Sequence, residues 1–377
     1  MGMGGPAPLK STARSRNERM ILEVVRRNEA IARAAITGHT NLTQQSVHRI
    51  VEELIRDDLL LPGDPVRGMR GQPSPQIMLD SDARFSLGIS VNTDSATISL
   101  CDLSCRIREE VRLRVRPMSR TQTLKELRAI ADRLLARNGV SFDRIVGLGA
   151  AVAGYFIADR RQVNAPEPLR DWSLVDLEPM LEDAFDLPVR LQNNATTAAI
   201  AEALRGVGLR CPTFAYLSFN YGFGGGVVVE GRPLLGANGN AGEMSSILSP
   251  DESESRPALR YLLDAVRENG VSVDSVEDLH LRFDPAWPGV DAWIAQTLPS
   301  LNRVINALAA VVDPQAIVFG GQIPPELGRT LIARAGFWAR HRYGAGPKRP
   351  ELLLSQVTGD AAAAGAAMLP LREAFFA

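Results

Sequence analysis

Two adjacent asparagines, Asn193 and Asn194, lie in the stretch RLQNNATTAAIAEALRG, residues 190–206. A short predicted strand, 189–192, runs into them, and the Ala-rich run that follows is expected to be helical. Polar side chains where a strand meets the start of a helix commonly form a ligand site. A catalytic site of this shape would place a carboxylate there as general base, whereas an amide cannot take a proton. The residues alone therefore fit an enzyme, a former enzyme or a simple helix N-cap.

The elements that position this turn belong to a chain of 377 residues, 45% of them hydrophobic, which is enough for two or three globular domains. The formal charge is −1, but the first 50 residues hold eight basic and three acidic side chains. That end therefore carries a net charge of +5 and the rest −6. A basic end on a slightly acidic body indicates a nucleic-acid partner, although on charge alone a solvated basic tail fits equally well.

The cysteines, Cys101, Cys105 and Cys211, are too few and too scattered for a disulfide framework or a Cys-rich zinc site. We expect reduced, mostly buried thiols and hence a cytoplasmic protein. The start MGMGGPAPLKSTARSR has no apolar core, so we expect a flexible arm over residues 1–16 and no signal peptide. The longest nearly apolar run, 145–158, is shorter than the roughly 18–20 residues of a membrane span.

Residues 17–80 have the pattern of a helix-turn-helix. Met20, Ile21, Val24 and Val25 fall on one helical face, and a short helix is expected to end near Gly38. After a GHTN turn, Thr43 can cap a second helix whose inward positions are Val47, Ile50, Val51 and Leu54. Polar side chains lie in the first turns of that helix, as is typical of a recognition helix in the major groove.

The stretch DDLLLPGDPVRGMRGQPSPQIMLD is then expected to form a hairpin wing with two arginines at its tip. A small helical bundle used for dimer packing is the alternative, and we favour DNA binding because turn, polar helix tip and wing agree. The predicted DNA-binding residues are Thr43, Gln44, Gln45, Ser46, His48, Arg49, Arg67 and Arg70.

From Phe85 onwards the pattern predicts an α/β protein with two lobes, at 85–205 and 206–377. Each lobe opens with consecutive strands and closes with helices, and long helices are expected at 257–268 and 291–312. The prediction leaves open that the closing helix packs back on the first lobe. Two such lobes indicate an actin-like ATPase fold, which is RNase H-like, with a ligand cleft between them.

Ordered motifs then make the chain, over about residues 17–375, resemble the ROK family of bacterial sugar-responsive repressors and sugar kinases. The most specific is GANGNAGE, downstream of a Gly-rich strand. The others are LGISV, VNAPEPLRDW, LQNNATTAAIAEA, DPQAIVFGG and AAAAGAAML, after an N-terminal winged helix-turn-helix that ends in MLD.

The resemblance also implies losses. Family kinases open with an Asp-x-Gly-Gly-Thr turn that takes phosphate on backbone N–H groups, whereas residues 90–94 here are Ser-Val-Asn-Thr-Asp. The anionic Asp94 would repel ATP, and Asn194 stands where the family has its catalytic aspartate. Ser246 replaces the zinc-binding His, and no cysteine follows in LSPDESESRPAL. We therefore expect no kinase activity, no metal and no cofactor.

The ligand-binding residues that the resemblance implies are Asn193, Asn194, Glu243, Gly239, Glu167 and Asn164. Without it, a capping role for the two asparagines and a loop-bracing role for Glu243 would be preferred. Gly222 and residues 224–226 match a second phosphate loop, but a hairpin would need these glycines in any case.

Together these features predict a DNA-binding transcriptional regulator, a repressor, that forms a homodimer or tetramer on operator DNA. Its kinase-like cleft would sense a sugar or sugar derivative, and no membrane is involved. The alternatives are an active ATP-dependent sugar kinase and a ligand-independent DNA-binding protein.

Overall fold

The computed structural model describes residues 14–63, 75–114, 119–157, 160–338 and 342–376. Within these ranges the chain forms an N-terminal unit of helices and a small sheet, followed by two five-stranded sheets with helices around them. None of the helices described there is both long enough and apolar enough to cross a bilayer.

The N-terminal unit combines three helices with a three-stranded antiparallel sheet of order β1-β3-β2. Its elements are α1 (Arg16–Asn28), β1 (Ala30–Ala32), α2 (Arg33–Gly38), α3 (Gln44–Arg56), β2 (Leu60–Pro62) and β3 (Gln76–Leu79). The apolar positions predicted to face inward from α3 are all buried.

Side-chain caps determine where two of these helices begin. Ser15 and Glu18 form a capping box at the start of α1, and the Thr43 hydroxyl accepts a hydrogen bond from the Ser46 N–H at 3.2 Å at the start of α3. Residues 14–16 therefore belong to the folded unit, which corrects the arm expected over 1–16. Because composition indicated a flexible arm over residues 1–16, the start of α1 at Arg16 was not predicted.

The first large sheet has the strand order β10-β7-β4-β5-β6. The elements of this lobe are β4 (Phe85–Val91), β5 (Ala96–Asp102), β6 (Ile107–Leu113), α4 (Arg120–Arg137), β7 (Ile145–Val152), β8 (Tyr155–Ile157), β9 (Gln162–Asn164), α5 (Leu177–Phe185), β10 (Val189–Asn193) and α6 (Asn194–Arg205). Strands β7 and β10 continue parallel to β4, whereas β5 and β6 form an antiparallel meander with it.

The second large sheet, of order β13-β12-β11-β14-β15, repeats that arrangement of antiparallel and parallel strands. Its lobe contains β11 (Phe214–Phe219), β12 (Phe223–Val229), β13 (Arg232–Pro233), α7 (Leu259–Glu268), α8 (Val276–Arg282), α9 (Val290–Val311), β14 (Ala316–Gly321), α10 (Pro325–Arg334), β15 (Glu351–Leu354) and α11 (Ala361–Phe375). The long helices expected from the sequence are α7 and α9, whereas α8 was not predicted.

The closing helix α11 lies against β4, β7 and α6 of the first lobe. Helix α11 approaches β7 and α6 so closely that two of the contact positions, Gly149 and Gly365, have no space for a side chain. A Cβ added to Gly149 of β7 would lie 1.8 Å from the Ala366 carbonyl oxygen of α11. On the opposite side, a Cβ on Gly365 would lie 1.7 Å from the Thr197 carbonyl oxygen of α6. Helix α11 is therefore held backbone to backbone between the first sheet and α6.

The N-terminal unit shares a hydrophobic core with the ends of α6 and α11. Arg26 of α1 is 3% exposed and donates to the Leu204 carbonyl oxygen, in the last turn of α6, at 2.7 Å. Its guanidinium carbon lies 5.5 Å from the centroid of the Phe376 ring. Arg19 Nε donates to the Phe376 carbonyl oxygen at 2.7 Å. Helix α1 is thus anchored where α6 and α11 end.

Candidate functional site

A cleft with a cavity volume of about 270 Å³, partly open to solvent, lies between the two lobes. The end of β10, the start of α6 and the Gly222–Gly224 turn before and within β12 contribute to its wall. Its polar and charged lining includes Asn92, Asn164, Asn193, Asn194, Asn220, Glu243, Arg256, Arg260 and Gln322. Aromatic rings of Tyr155, Tyr221 and Phe223 supply apolar surface. The mixture of amides, charges and rings is typical of a small-molecule site.

The two asparagines have different roles. The Asn193 side chain caps α6, since its oxygen accepts hydrogen bonds from the Ala195 N–H at 2.7 Å and the Thr196 N–H at 3.3 Å. Its amide nitrogen donates to the Gly154 carbonyl. The Asn194 side chain also lines the cleft, is 7% exposed, and has no hydrogen-bond partner among the side chains and backbone groups that the structure describes. Asn194 is therefore the asparagine that is available to a ligand.

This division predicts opposite effects for a matched pair of variants. N193A should lower the free energy of unfolding by about 1–2 kcal/mol, because an N-cap is lost. N194A should leave stability within about 0.5 kcal/mol and weaken ligand binding instead. Chemical denaturation of both variants beside the parent chain tests this, and equal destabilisation by the two would contradict it.

Glu243 lies in the cleft after Gly242, whose φ of +103° turns the chain at the end of the GANGNAGE motif. Burial raises the pKa of the Glu243 carboxyl from an ordinary 4.5 to about 7. No cation of the described residues is paired with it. At neutral pH this carboxyl is therefore divided between a neutral form that can donate a hydrogen bond and an anion that can only accept.

The raised pKa predicts a pH-dependent stability. Between about pH 4.5 and 7 the folded state binds more protons at Glu243 than the unfolded chain, so the free energy of unfolding falls as the pH rises. The E243Q variant should not show this loss. At pH 8 its free energy of unfolding should be higher than that of the parent chain by up to about 3 kcal/mol. The two should differ little near pH 4. Urea unfolding from pH 4 to 8 measures this, with E326Q on the exposed side of α10 as control.

Two predicted ligand residues lie away from the cleft. The Glu167 side chain is 84% exposed and lies 3.9 Å from Arg170, on a short 3-10 helix that turns it to solvent. Gly239 has φ of +79°, and a Cβ there would meet Arg160 Nε at 2.7 Å. The structure therefore does not bring Glu167 and Gly239 to the cleft, whereas Asn164 lines it and donates to the Tyr155 hydroxyl at 2.8 Å.

The GANGNAGE motif is positioned by a residue that the sequence analysis missed. The side-chain oxygen of Asn240 accepts the Phe156 N–H at 2.7 Å, and its amide nitrogen donates to the Phe156 carbonyl at 2.8 Å. This paired contact ties the motif to β8. The neighbouring Gly239 therefore helps the chain reach β8 and does not line the cleft.

Residues 90–94 form the turn that resembles a phosphate loop, and three of their side chains form hydrogen bonds with other parts of the protein. Ser90 donates to Asp360 Oδ2 at 2.5 Å, and Asn92 donates to the same oxygen at 3.3 Å. Asp94 is 7% exposed, and its Oδ2 accepts the backbone N–H of Glu277, at the start of α8, at 3.0 Å. Arg112 lies 3.4 Å from the Glu277 carboxylate. Asp94 thus joins the first lobe to the second through a backbone N–H.

Arg256, Arg260 and Gln322 are among the cleft residues that were not predicted from the sequence. The arginines follow the LSPDESES stretch, from which only the lack of zinc-binding cysteines was predicted. Gln322 is 9% exposed, and both polar atoms of its side chain are buried without a partner among the described residues. In that same part of the chain, no group of three or more His, Cys, Asp or Glu residues is placed to hold a metal ion.

A second polar surface lies on the N-terminal unit, at the start of α3. Gln44 and Gln45 are exposed in its first turn. His48 Nδ1 lies 2.9 Å from the Arg33 guanidinium, and Arg49 pairs with Glu53 at 2.7 Å. Ser46 is half-buried beside the Thr43 cap, while the predicted wing arginines, Arg67 and Arg70, lie outside the described residues.

The ROK family model matches residues 86–255 of the chain, which include Asn193, Asn194 and Glu243. Residues 86–255 are thus a ROK family domain, which confirms the resemblance predicted from the motifs. An uncharacterized protein, y4fQ, of Sinorhizobium fredii is 26% identical over 96% of this chain and 92% of its own length. The xylose repressor of Bacillus spizizenii is 25% identical over 60% of this chain, and the match spans 59% of that repressor. The transcriptional dual regulator NagC of Escherichia coli is 24% identical over 66% of this chain and 61% of its own.

Solved structures share the fold. A ROK family transcriptional regulator described as a homolog of E. coli MLC aligns over 95% of this chain and 96% of its own, with a TM-score of 0.70 and 19% identity. A ROK family glucokinase of Streptomyces griseus, solved with glucose and AMPPNP, covers 76% of this chain and 98% of its own with a TM-score of 0.57 and 21% identity. The kinase alignment covers about three quarters of this chain, and the regulator alignment nearly all of it.

Proposed function

We propose that this chain is a DNA-binding transcriptional regulator, a repressor, whose cleft binds a sugar or sugar derivative without phosphorylating it. In this proposal residues 17–80 are a winged helix-turn-helix, and residues 85–205 and 206–377 are the lobes of the sensor. Two relatives by sequence that carry a functional name are the xylose repressor and the transcriptional dual regulator NagC, which supports the assignment.

The DNA-binding part of the proposal rests on α2, the turn and α3. The Thr43 cap begins α3 so that Gln44 and Gln45 are exposed in its first turn. Glutamine amides suit adenine edges in the major groove, and arginine suits guanine or phosphate. We further propose that the protein acts as a homodimer or tetramer in the cytoplasm, because one such module makes few contacts and symmetric copies read two half-sites.

The observation that carries the sensing part is the course of α6. This helix begins at the cleft with Asn194 and, in its last turn, its Leu204 carbonyl accepts the hydrogen bond from Arg26 of α1. Close packing against α11 makes α6 a rigid element over that length. A ligand that prefers one arrangement of the two lobes would therefore reorient α1 and the DNA-binding surface.

A kinase is the alternative function, and two features argue against it. Asn194 cannot accept the proton of a sugar hydroxyl, a loss that typically costs about 10²–10⁴ in rate. Asp94 adds a carboxylate at the turn where a phosphate would bind. We expect no ATP consumption above background with hexoses, pentoses or amino sugars. Turnover that disappears in N194A would overturn this part of the proposal.

The experiment that tests the regulator is selection of DNA sequences from a random library by the full-length protein, followed by gel shifts at a fixed salt concentration. We expect recovery of an inverted repeat and binding at least about 10³-fold tighter than to unrelated DNA. Recovery of no common sequence would refute DNA-binding regulation. Thermal shift across a sugar library then separates a sensor from a ligand-independent DNA-binding protein, since a ligand raises the melting temperature by mass action.

A further inference from the structure

We infer that the ligand of the cleft carries an anionic group, a carboxylate or a phosphate, on a polyhydroxylated frame, and that Arg260 binds that group. This inference rests on the proposed function and specifies the ligand of its sensor.

Arg260 is a cation that the fold holds in place with donors to spare. Its guanidinium carbon lies 4.5 Å from the centroid of the Tyr261 ring and 5.9 Å from that of Tyr221, and one NH2 group donates to the Tyr261 hydroxyl. Its Nε is buried without a hydrogen-bond partner, and no carboxylate of the described residues forms an ion pair with Arg260. Aromatic contacts orient the planar fork, which suits carboxylate and phosphate oxygens.

The charge of the cleft lining favours an anion. Among the described residues of that lining, Arg256 and Arg260 are the cations and Glu243 is the carboxyl group. Burial holds the pKa of Glu243 at about 7, so its negative charge is incomplete at neutral pH. The amide of Asn194 adds no charge. Arg260 therefore contributes a full positive charge that the partly ionised Glu243 offsets only in part, and a neutral ligand would leave the remainder uncompensated.

The amides of the cleft indicate the rest of the ligand. Asn194 and Gln322 both bring a donor and an acceptor to the lining, and neither side chain has a hydrogen-bond partner among the described residues. The unpartnered amide of Gln322 is buried, which is costly, and a hydroxyl satisfies both a donor and an acceptor group. A ligand with several hydroxyls and one anionic group therefore complements both kinds of lining residue.

Isothermal titration of the full-length protein with matched pairs tests the inference. The pairs are D-glucose with D-glucuronate, D-galactose with D-galacturonate, and D-glucose with D-glucose 6-phosphate. We expect at least one acid or phosphate to bind tenfold or more tightly than its parent hexose. Comparing the two uronates with D-glucose 6-phosphate shows whether the site binds a carboxylate or a phosphate. The preference should weaken as the salt concentration rises.

The R260Q variant should lose the preference for the anionic ligand. The control variant R329Q, which changes an exposed arginine on α10, should retain it. If R260Q does not fold, R260K should keep a preference reduced by about tenfold, because the charge stays and the fork is lost. Parent hexoses that bind as tightly as their acids or phosphate would overturn the inference. An unchanged preference in R260Q, or binding by none of the five probes, would overturn it as well. Sequence-selective gel shifts in the same preparation would then show that the regulator proposal survives.

Discussion

Replacing both Gln44 and Gln45 by alanine is expected to reduce sequence-selective DNA binding by about 100-fold or more. Each bidentate amide–base contact contributes about 1–3 kcal/mol of discrimination, and every 1.4 kcal/mol is tenfold in affinity. Both side chains are exposed in the first turn of α3, so their truncation removes no core contact. Gel shifts with the selected sequence and with unrelated DNA, at one salt concentration, measure the loss.

The control is Q296A, which truncates an exposed glutamine on α9. It should leave both affinities unchanged, and neither variant should move the melting temperature. Because these glutamines are assigned to base edges, binding to unrelated DNA should fall much less than binding to the selected sequence. Equal losses of affinity for both DNAs would indicate that the glutamines contact phosphates and not base edges. No loss of affinity for either DNA would show that α3 is not part of the DNA interface.

Replacing Gly365 by valine is expected to destabilise the first lobe by more than about 4 kcal/mol, beyond the usual cost of overpacking. The reason is geometric. Even a single added carbon would lie 1.7 Å from the Thr197 carbonyl oxygen and 3.2 Å from the Ala201 backbone nitrogen. Both atoms belong to the backbone of α6, so no side-chain rotation relieves the clash. Because α11 is held between α6 and the first sheet, the helix cannot move away without opening the core.

Calorimetry or urea unfolding measures the effect, with G38A as control. Gly38 ends α2, and nothing lies within 4 Å of a Cβ built there, so its substitution should change the free energy of unfolding by about 0.5 kcal/mol or less. If G365V folds with parental stability, the backbone contact between α6 and α11 is wrong. That result would also remove the rigid path proposed from the cleft to α1.

Local patterns were sufficient for most elements of the fold. The helical periodicity of 44–56 and the alternating or continuous apolar strands of the two lobes agree with α3, β4, β5, β7, β11 and β14. Helix α8 was missed because its seven residues, VEDLHLR, offer too short a window for a 3.6-residue period. The start of α1 was missed because Ser15 lies in a Gly- and Pro-containing tail that composition alone assigns to an arm.

The sequence by itself determined the chemistry that individual positions can perform. An amide at 194 cannot act as a base, a carboxylate at 94 is a poor phosphate site, and the ordered motifs indicated the ROK domain that the family model matches at 86–255. These statements need only the identity of each residue and its place in a motif, since protonation and charge are properties of a side chain.

Only the tertiary structure decided which of those residues meet. It divided Asn193, a cap, from Asn194, a cleft residue, and placed Glu167 in solvent. It joined Asp94 to the N–H of Glu277, 183 residues further along the chain. The physical reason is that contacts between distant segments depend on how sheets and helices pack, here on the backbone contact of α11 with α6. No local pattern carries that information.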